Sequence, residues 1–257
     1  MSIRLRPDGF SFSAHDPSRN ETFFYRTVDF DRAKPYLSSL KEVFFENDFF
    51  SYLYKQIRVI SVSPGYTLVP EAFYRDKQKT ELFSFAFSST GTRCLHNSWP
   101  DEPAEAVFGM NEEVYEFCSR SLLNPRFFHH IVPQLCLWKK QSRLLLPRQM
   151  YVILHARFMD VACFAQGKLL FANSFDFERP DDILYYLLYI WKQTGFDQQR
   201  DQLKISGEPA LRASITKTLR TYLQYIDPVE IPSEAYLLGA EVVQAPLDLI
   251  ALSICEL

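Results

Sequence analysis

The sequence predicts an α/β fold built by duplication, with two βββαβα-type halves and mixed sheets. Three observations lead there. A five-residue phrase occurs twice, as Val28-Asp29-Phe30-Asp31-Arg32 and as Phe175-Asp176-Phe177-Glu178-Arg179, 147 residues apart and identical at three positions. Strand patterns precede both copies. A helix pattern and then a strand ending at a proline turn follow both, with 36 residues from Val28 to Pro64 and 34 from Phe175 to Pro209. One order of elements at nearly one spacing is the signature of a repeated unit.

In the first half, Ile3–Arg6 reads as a short strand ended by the turn Pro7-Asp8-Gly9. Phe10, Phe12 and Ala14 then alternate with Ser11, Ser13 and His15, the period of two of a half-buried strand. Asp16 to Asn20 turns the chain, and the β-branched and aromatic stretch Thr22–Phe30 makes a third strand. After the phrase, Leu37, Leu40 and Phe44 lie at i, i+3 and i+7 of a helix. Ile57–Pro64 follows as a strand. Leu68–Tyr74 reads either as the start of a helix or as a segment lining a cleft.

In the second half, Tyr151–His155 is a strand, and Met159, Val161 and Cys163 share one face of the next. Gln166-Gly167 is a two-residue hairpin loop, after which Leu169, Phe171 and Phe175 continue with period two. These strands are apolar on both faces, as in a sheet covered on both sides. Ile183, Leu187 and Ile190 define a helix. Pro180 suits its first turn, Asp181 and Asp182 suit the dipole there, and Gly195 suits its end. Leu203–Pro209 matches the strand before Pro64.

The stretch from Lys77 to Gln141 is the least repetitive. Within it Asn97–Ala104 reads as an exposed loop, Glu112–Leu123 as a helix stopped by Asn124-Pro125, and Phe127–Trp138 as buried. The duplication sets the domain boundary at Leu146-Pro147-Arg148, giving halves 1–146 and 147–257.

Composition narrows the classes of function. Hydrophobic residues make up 47% and aromatics 16%, enough for a core in each half. The net charge is −3 with no long run of Lys or Arg, so a nucleic-acid partner is not expected. No apolar run reaches the length of a membrane span. The N-terminus alternates charged and apolar residues rather than forming a signal peptide. Five unclustered cysteines, an odd number, fit a reducing cytoplasm.

Several constellations have plainer structural readings. Cys94, His96, Cys118, His129, His130 and Cys136 lack metal-ligand spacing and read as ordinary core residues. Cys163 and His155 could serve as nucleophile and base, but both belong to an apolar sheet. Asp29, Asp31, Asp176 and Glu178 could gather metals, yet Asp31 and Glu178 read better as helix N-terminal acids. Arg32 and Arg179 would pair with nearby acids. The doublets Phe23-Phe24, Phe44-Phe45, Phe49-Phe50 and Phe127-Phe128 can each serve two layers. Phe44 to Phe50 is the strongest candidate for a contact patch.

The repeated unit, carried by the paired Asp-Phe-acid-Arg phrases, Asp8-Gly9 and Ser206-Gly207, resembles the half-domain of the actin-like ATPase fold, which is ribonuclease-H-like. The chain is similar to an uncharacterised bacterial family of that fold, and more distantly to actin-like components of pilus and secretion machines. The resemblance implies two Asp- and Gly-rich hairpins that cradle phosphates with Mg²⁺, and a glycine turn near adenosine. It places the vestigial cofactor-binding residues at Asp8, Gly9, Ser206 and Gly207. The first hairpin here, Arg6–Ser11, has Pro7 without an N–H and a bulky Phe10. The second, His155–Met159, has neither Asp nor Gly. The third turn, Ser206-Gly207-Glu208-Pro209, sets an acid beside its glycine. Glycines number eight, about 3% against a typical 7% or so, and none are clustered. The expectation is a non-catalytic, cytoplasmic protein that binds an unidentified protein partner, with no catalytic residue, no metal and no bound cofactor. Two alternatives stay open. One is a nucleotide-binding switch closing on Mg-ATP. The other is a metal-dependent hydrolase using Asp8, Asp29 and Asp176.

Overall fold

The computed structural model describes residues 1–31, 33–99 and 102–255. Arg32 of the repeated phrase lies outside the described residues, as do Pro100 and Asp101. By internal contacts the chain forms two compact units, Met1–Pro133 with Ile231–Leu257, and Gln134–Glu230.

The first unit starts with a meander: β1 (Ser2–Arg6), β2 (Gly9–Ala14) and β3 (Phe24–Asp29). Helix α1 (Tyr36–Glu46) and strand β4 (Arg58–Ser61) follow. Next comes an insertion: β5 (Tyr66–Pro70), α2 (Lys79–Ser84), β6 (Thr92–Ser98) and β7 (Ala104–Asn111). Helix α3 (Glu112–Ser121) and strand β8 (Arg126–His129) complete the main sheet, ordered β3-β2-β1-β4-β8. The inserted strands form their own sheet, β5-β7-β6.

Helix α4 (Ile131–Ser142) carries the chain into the second unit, which holds β9 (Gln149–Leu154), β10 (Phe158–Ala165), β11 (Lys168–Asp176), α5 (Pro180–Gln193), β12 (Gln202–Gly207), α6 (Pro209–Leu219) and β13 (Tyr225–Pro228). Its sheet is ordered β11-β10-β9-β12-β13, the same order as the first. In both sheets the first three strands are antiparallel and the last two join in parallel. The duplication is therefore a fact of topology as well as of sequence. The final helix α7 (Leu247–Ile254) belongs to the first unit. The expected boundary at 146/147 falls where one sheet gives way to the other. Packing divides the chain earlier, inside α4, and returns the C-terminal segment to the first unit.

That return explains a departure from the expected half-burial of β2. Phe10 and Phe12 face a core with Ile3, Leu40 and Phe50, but Ser11 and Ser13 are buried too. Arg4, paired in register with Ser11, shares their face, and its Nε donates to Asp248 Oδ2 of α7 at 2.6 Å. A covering helix 244 residues away removes the solvent that the alternation predicts.

Two other expectations change in the first unit, while residues 128–138 are buried as expected. The helix expected after β4 is displaced by the insertion, so Leu68–Tyr74 supplies β5 and a 3-10 turn, Glu71–Phe73. Asn97–Ala104 is only partly loop. Asn97 lies within β6 and is buried, its Nδ2 donating to Phe127 O while its Oδ1 accepts from His129 N. Phe127–Trp138 splits into a strand and a helix with His130 between them. Phe23 and Phe24 do serve two layers, one packing with Ala235 and Val242 and the other with the main core. Phe44 and Phe50 stack at 4.3 Å within that core, leaving Phe45 outward and 83% exposed.

In the second unit the Gln166-Gly167 turn takes positive φ at both residues, as a type I′ hairpin requires. A bulge opposite Cys163 and Phe164 interrupts the period of two in β11, so Leu170 emerges while Phe171 and Phe175 stay against the core. Pro180 occupies the first turn of α5, and Gly195 follows its C-cap at φ +70°.

Candidate functional site

The actin-like expectation directs attention to three turns: the β1–β2 hairpin, the β9–β10 connection and the β12–α6 junction. Each is described within its own unit.

The β1–β2 hairpin turns on Pro7-Asp8. Gly9 has φ +155°, and a Cβ there would meet Val28 O at 2.3 Å. The glycine is thus explained by the close approach of β3. The turn is occupied by its own neighbours. Arg6 reaches Asp8 at 3.4 Å and Asp29 at 2.5 Å. Asp8 O accepts from Phe30 N at 3.0 Å, and Gly9 O accepts from the Tyr36 hydroxyl at 3.2 Å. Burial raises the pKa of Tyr36, keeping that donor protonated. Asp8 and Asp29 therefore converge on one guanidinium, which offsets part of their charge where a hydrolase would place a cation. Asp176 lies in the other unit, exposed at the end of β11. Beside the hairpin is a pocket of about 420 Å³ whose walls include Leu5, Pro7, Tyr36, Val62, Met110 and Val114. Its lining is mainly apolar, with Arg6 as its cation.

The β9–β10 connection has no glycine. His155 N donates to Phe158 O at 2.9 Å, and the two rings stack at 4.1 Å. His155 Nε2 lies 2.7 Å from Asp160 Oδ2, and Ser174 Oγ donates to Asp160 Oδ1 at 2.5 Å. Asp160 is fully buried. It went unnoticed in the sequence, though one acid in the apolar run Phe158–Ala165 is itself a signal, because a buried charge demands partners. Cys163 faces the opposite way, into the core with Met159 and Val161. Burial pushes its thiol up to about 12, and its hydrogen-bond neighbour is Thr194. The cysteine–histidine pair is therefore not assembled.

At the β12–α6 junction, Ser206 and Gly207 pair with Ile153 and Leu154. Gly207 has φ +107°, and a Cβ would meet Leu154 O at 2.0 Å, so the residue must be glycine for the sheet to close. Glu208 caps α6. Its carboxylate accepts from Ala210 N at 3.2 Å and Leu211 N at 2.6 Å. A helix N-terminus is a natural anion site, but here the chain supplies the anion. A terminus occupied in this way does not fit a phosphate.

The strand-to-helix phrases also resolve differently from expectation. Asp31 is not at the α1 N-terminus: its Oδ1 accepts from Ala33 N in a local turn, and Pro35 precedes the helix. Glu178 does not cap α5 either. Asp182 Oδ2 accepts from the backbone of both Glu178 and Arg179, and these bonds lower its pKa. Arg179, expected to pair with an acid, is the N-cap residue of that helix.

The cysteine–histidine constellation is dispersed over the elements. His96 Nδ1 lies 2.9 Å from Glu105 Oε2 in the inserted sheet. His129 Nε2 lies 3.0 Å from Ser63 O. Cys118 is buried in α3, its thiol pushed up to about 12 by burial.

The family model described as "Protein of unknown function (DUF3822)" matches residues 1–226. A crystal structure from Bacteroides thetaiotaomicron, of a protein with an actin-like ATPase fold and unknown function, matches 97% of this chain and 94% of its own at 28% identity and TM-score 0.83. A chain of the PilM-PilN type IV pilus biogenesis complex matches over 97% and 92% at 9% identity and TM-score 0.61. No curated protein matches the sequence. Among the described residues, no helix is long and apolar enough to cross a membrane.

Proposed function

Because the chain belongs to the DUF3822 family and has an actin-like ATPase fold, we propose that it acts without catalysis, as a protein-binding or scaffolding module of that fold. The observation that carries this reading is the carboxylate of Glu208 on the first amides of α6. This is the turn that the resemblance sets beside adenosine, and its first helical amides are already taken by a covalently tethered anion. Two further features support the reading. Pro7 removes an N–H from the first hairpin, and the Asp8 and Asp29 carboxylates are held by Arg6. The second connection is closed by His155 and Phe158 without a glycine.

The mode of action is carried over from fold alone. One structural relative is part of a pilus biogenesis complex, and an actin-like body that engages another protein needs no hydrolysis to do so. The partner proposed here is a protein, met in the cytoplasm. Affinity purification of the full chain from its native host at low salt, with and without Mg-ATP, tests this. The expected result is a stoichiometric protein partner retained equally under both conditions. Recovery of a partner only with Mg-ATP, or release by it, contradicts the reading.

A further inference from the structure

Within the second unit, α6 and the outer strand β13 enclose a groove of about 360 Å³. Ile205, Ile226 and Pro228 line its apolar side, and Arg212, Thr216, Lys217 and Arg220 of α6 and its C-cap line the other. Arg212, Thr216 and Arg220 lie at i, i+4 and i+8, on one stripe of the helix. Among the described residues none of the three cations has an ion-pair partner. Asp227 is the one acid in the lining, so three cations less one carboxylate leave an excess of two positive charges. In register Asp227 lies beside Lys204, while Ile226 and Pro228 lie beside Leu203 and Ile205. Strand alternation therefore turns Asp227 toward the opposite face of the sheet.

The imbalance is particular to this helix. From Pro209 to Ile226 the chain has three cations and no acid, although acids outnumber Lys and Arg 31 to 28 overall. Helix α3, which leads into β8 as α6 leads into β13, carries Glu112, Glu113 and Glu116 and pairs Arg120 with Glu116 at 3.0 Å. One duplicated helix balances its own charge and the other does not. The shape of the groove indicates what answers that charge. Arg212 and Arg220 are about 12 Å apart along the helix axis, a length that about four residues of extended chain span. That length, with the apolar side, suits a polypeptide segment bearing acidic and apolar side chains better than a compact inorganic anion. Pro228 offers no N–H at the edge of the sheet, so side chains hold the segment rather than a further strand ladder. Three cations fall short of the four to eight or so that hold an anionic lipid surface, and a net charge of −3 disfavours nucleic acid.

We propose that this groove binds an acidic segment of a protein partner, with carboxylates on Arg212 and Arg220 and apolar side chains on Ile226 and Pro228. The proposal rests on the reading of the chain as a protein-binding module, and the affinity purification tests that reading separately. A partner retained by the Arg212→Glu/Arg220→Glu variant leaves that reading standing and overturns the groove. Fluorescence polarisation of the full chain at low salt, with a short dye-labelled peptide of glutamate and leucine, tests the groove itself. The peptide should bind, its affinity should fall as salt is raised, and its lysine–leucine counterpart should not bind. Arg212→Glu and Arg220→Glu should each weaken binding about tenfold, and the double variant should prefer the lysine peptide. That reversal is a signature that mere structural damage cannot give. Lys168→Glu makes the same change of charge on β11 and should bind as wild type does. A wild type that ignores the glutamate peptide overturns the proposal. So does a Lys168→Glu variant weakened as much as the two arginine variants, or displacement of the peptide by an equal concentration of inorganic diphosphate, which would mark a small-anion site.

Discussion

The Glu208 carboxylate lies 2.6 Å from the backbone nitrogen of Leu211 and caps the helix at the turn where an actin-like ATPase would hold its nucleotide. Replacing Glu208 with Ala should destabilise the protein by about 1 kcal/mol, the usual worth of an N-cap. Urea unfolding of the variant measures this. A variant as stable as wild type would show that the cap contributes nothing.

Gly207 allows a sharper distinction between structure and chemistry. A Cβ at this position would meet the backbone of Leu154. Gly207→Ala should therefore cost about 2 kcal/mol or more, because a backbone atom cannot move aside cheaply and φ is positive. Gly91 also has positive φ but nothing within 4 Å of a Cβ, so Gly91→Ala should cost only the local strain, about 1 kcal/mol. Parallel urea titrations compare the two. Equal effects would remove the steric account of Gly207.

The Arg4–Asp248 pair is buried, with Asp248 fully enclosed. Asp248→Ala should destabilise by about 3–5 kcal/mol, leaving an uncompensated guanidinium in the interior. Arg4→Met with Asp248→Leu should cost much less, because neither charge then remains. The cycle of single and double variants in urea gives the coupling directly. A single variant costing no more than the double would contradict the assignment of the C-terminal segment to the first unit's core.

The cysteines should separate by reactivity. Cys118 and Cys163 are buried and their thiols are pushed up to about 12, whereas Cys255 is half-exposed. Thiolates are the reactive form, so an aromatic disulfide reagent at neutral pH should label Cys255 first and the buried pair only on unfolding. The folded pKa of both buried thiols lies above the ordinary thiol value of 9.0. Their contribution to stability is therefore full below about pH 9 and is lost as pH rises toward 12, because the unfolded chain ionises first. Cys163→Ala should flatten the alkaline limb of the stability–pH curve.

Much of this architecture was legible in the sequence, and the reasons are specific. Phe10 and Phe12, Met159 and Val161, and Ile183 and Leu187 report local periodicity, which depends only on neighbouring residues. The repeated phrase marks two equivalent junctions whatever its side chains do. The covered face of β2 was not legible, because Ser11 and Ser13 are enclosed by α7 through Arg4 and Asp248, a contact that no local pattern encodes. Two strands of the inserted sheet, β6 and β7, lie in the stretch where the repeat is weakest. At the candidate site, the departures at Pro7 and Glu208 were visible as residues, but Glu208 as a helix cap was not. The roles of Asp31 and Glu178 were misplaced for a related reason. Asx turns and capping boxes differ by one or two residues of register, and here Asp182 rather than Glu178 receives the amides.

We infer that the fold persists while the turns that would hold a nucleotide are occupied by the chain itself. Thermal unfolding of the full chain with and without saturating Mg-ATP tests it most directly. Ligand binding to the native state at a hundred times the dissociation constant stabilises by about 2.7 kcal/mol, a rise of several degrees in Tm. Tm should be unchanged with both Mg-ATP and Mg-ADP. A saturable rise of several degrees with either nucleotide would contradict it.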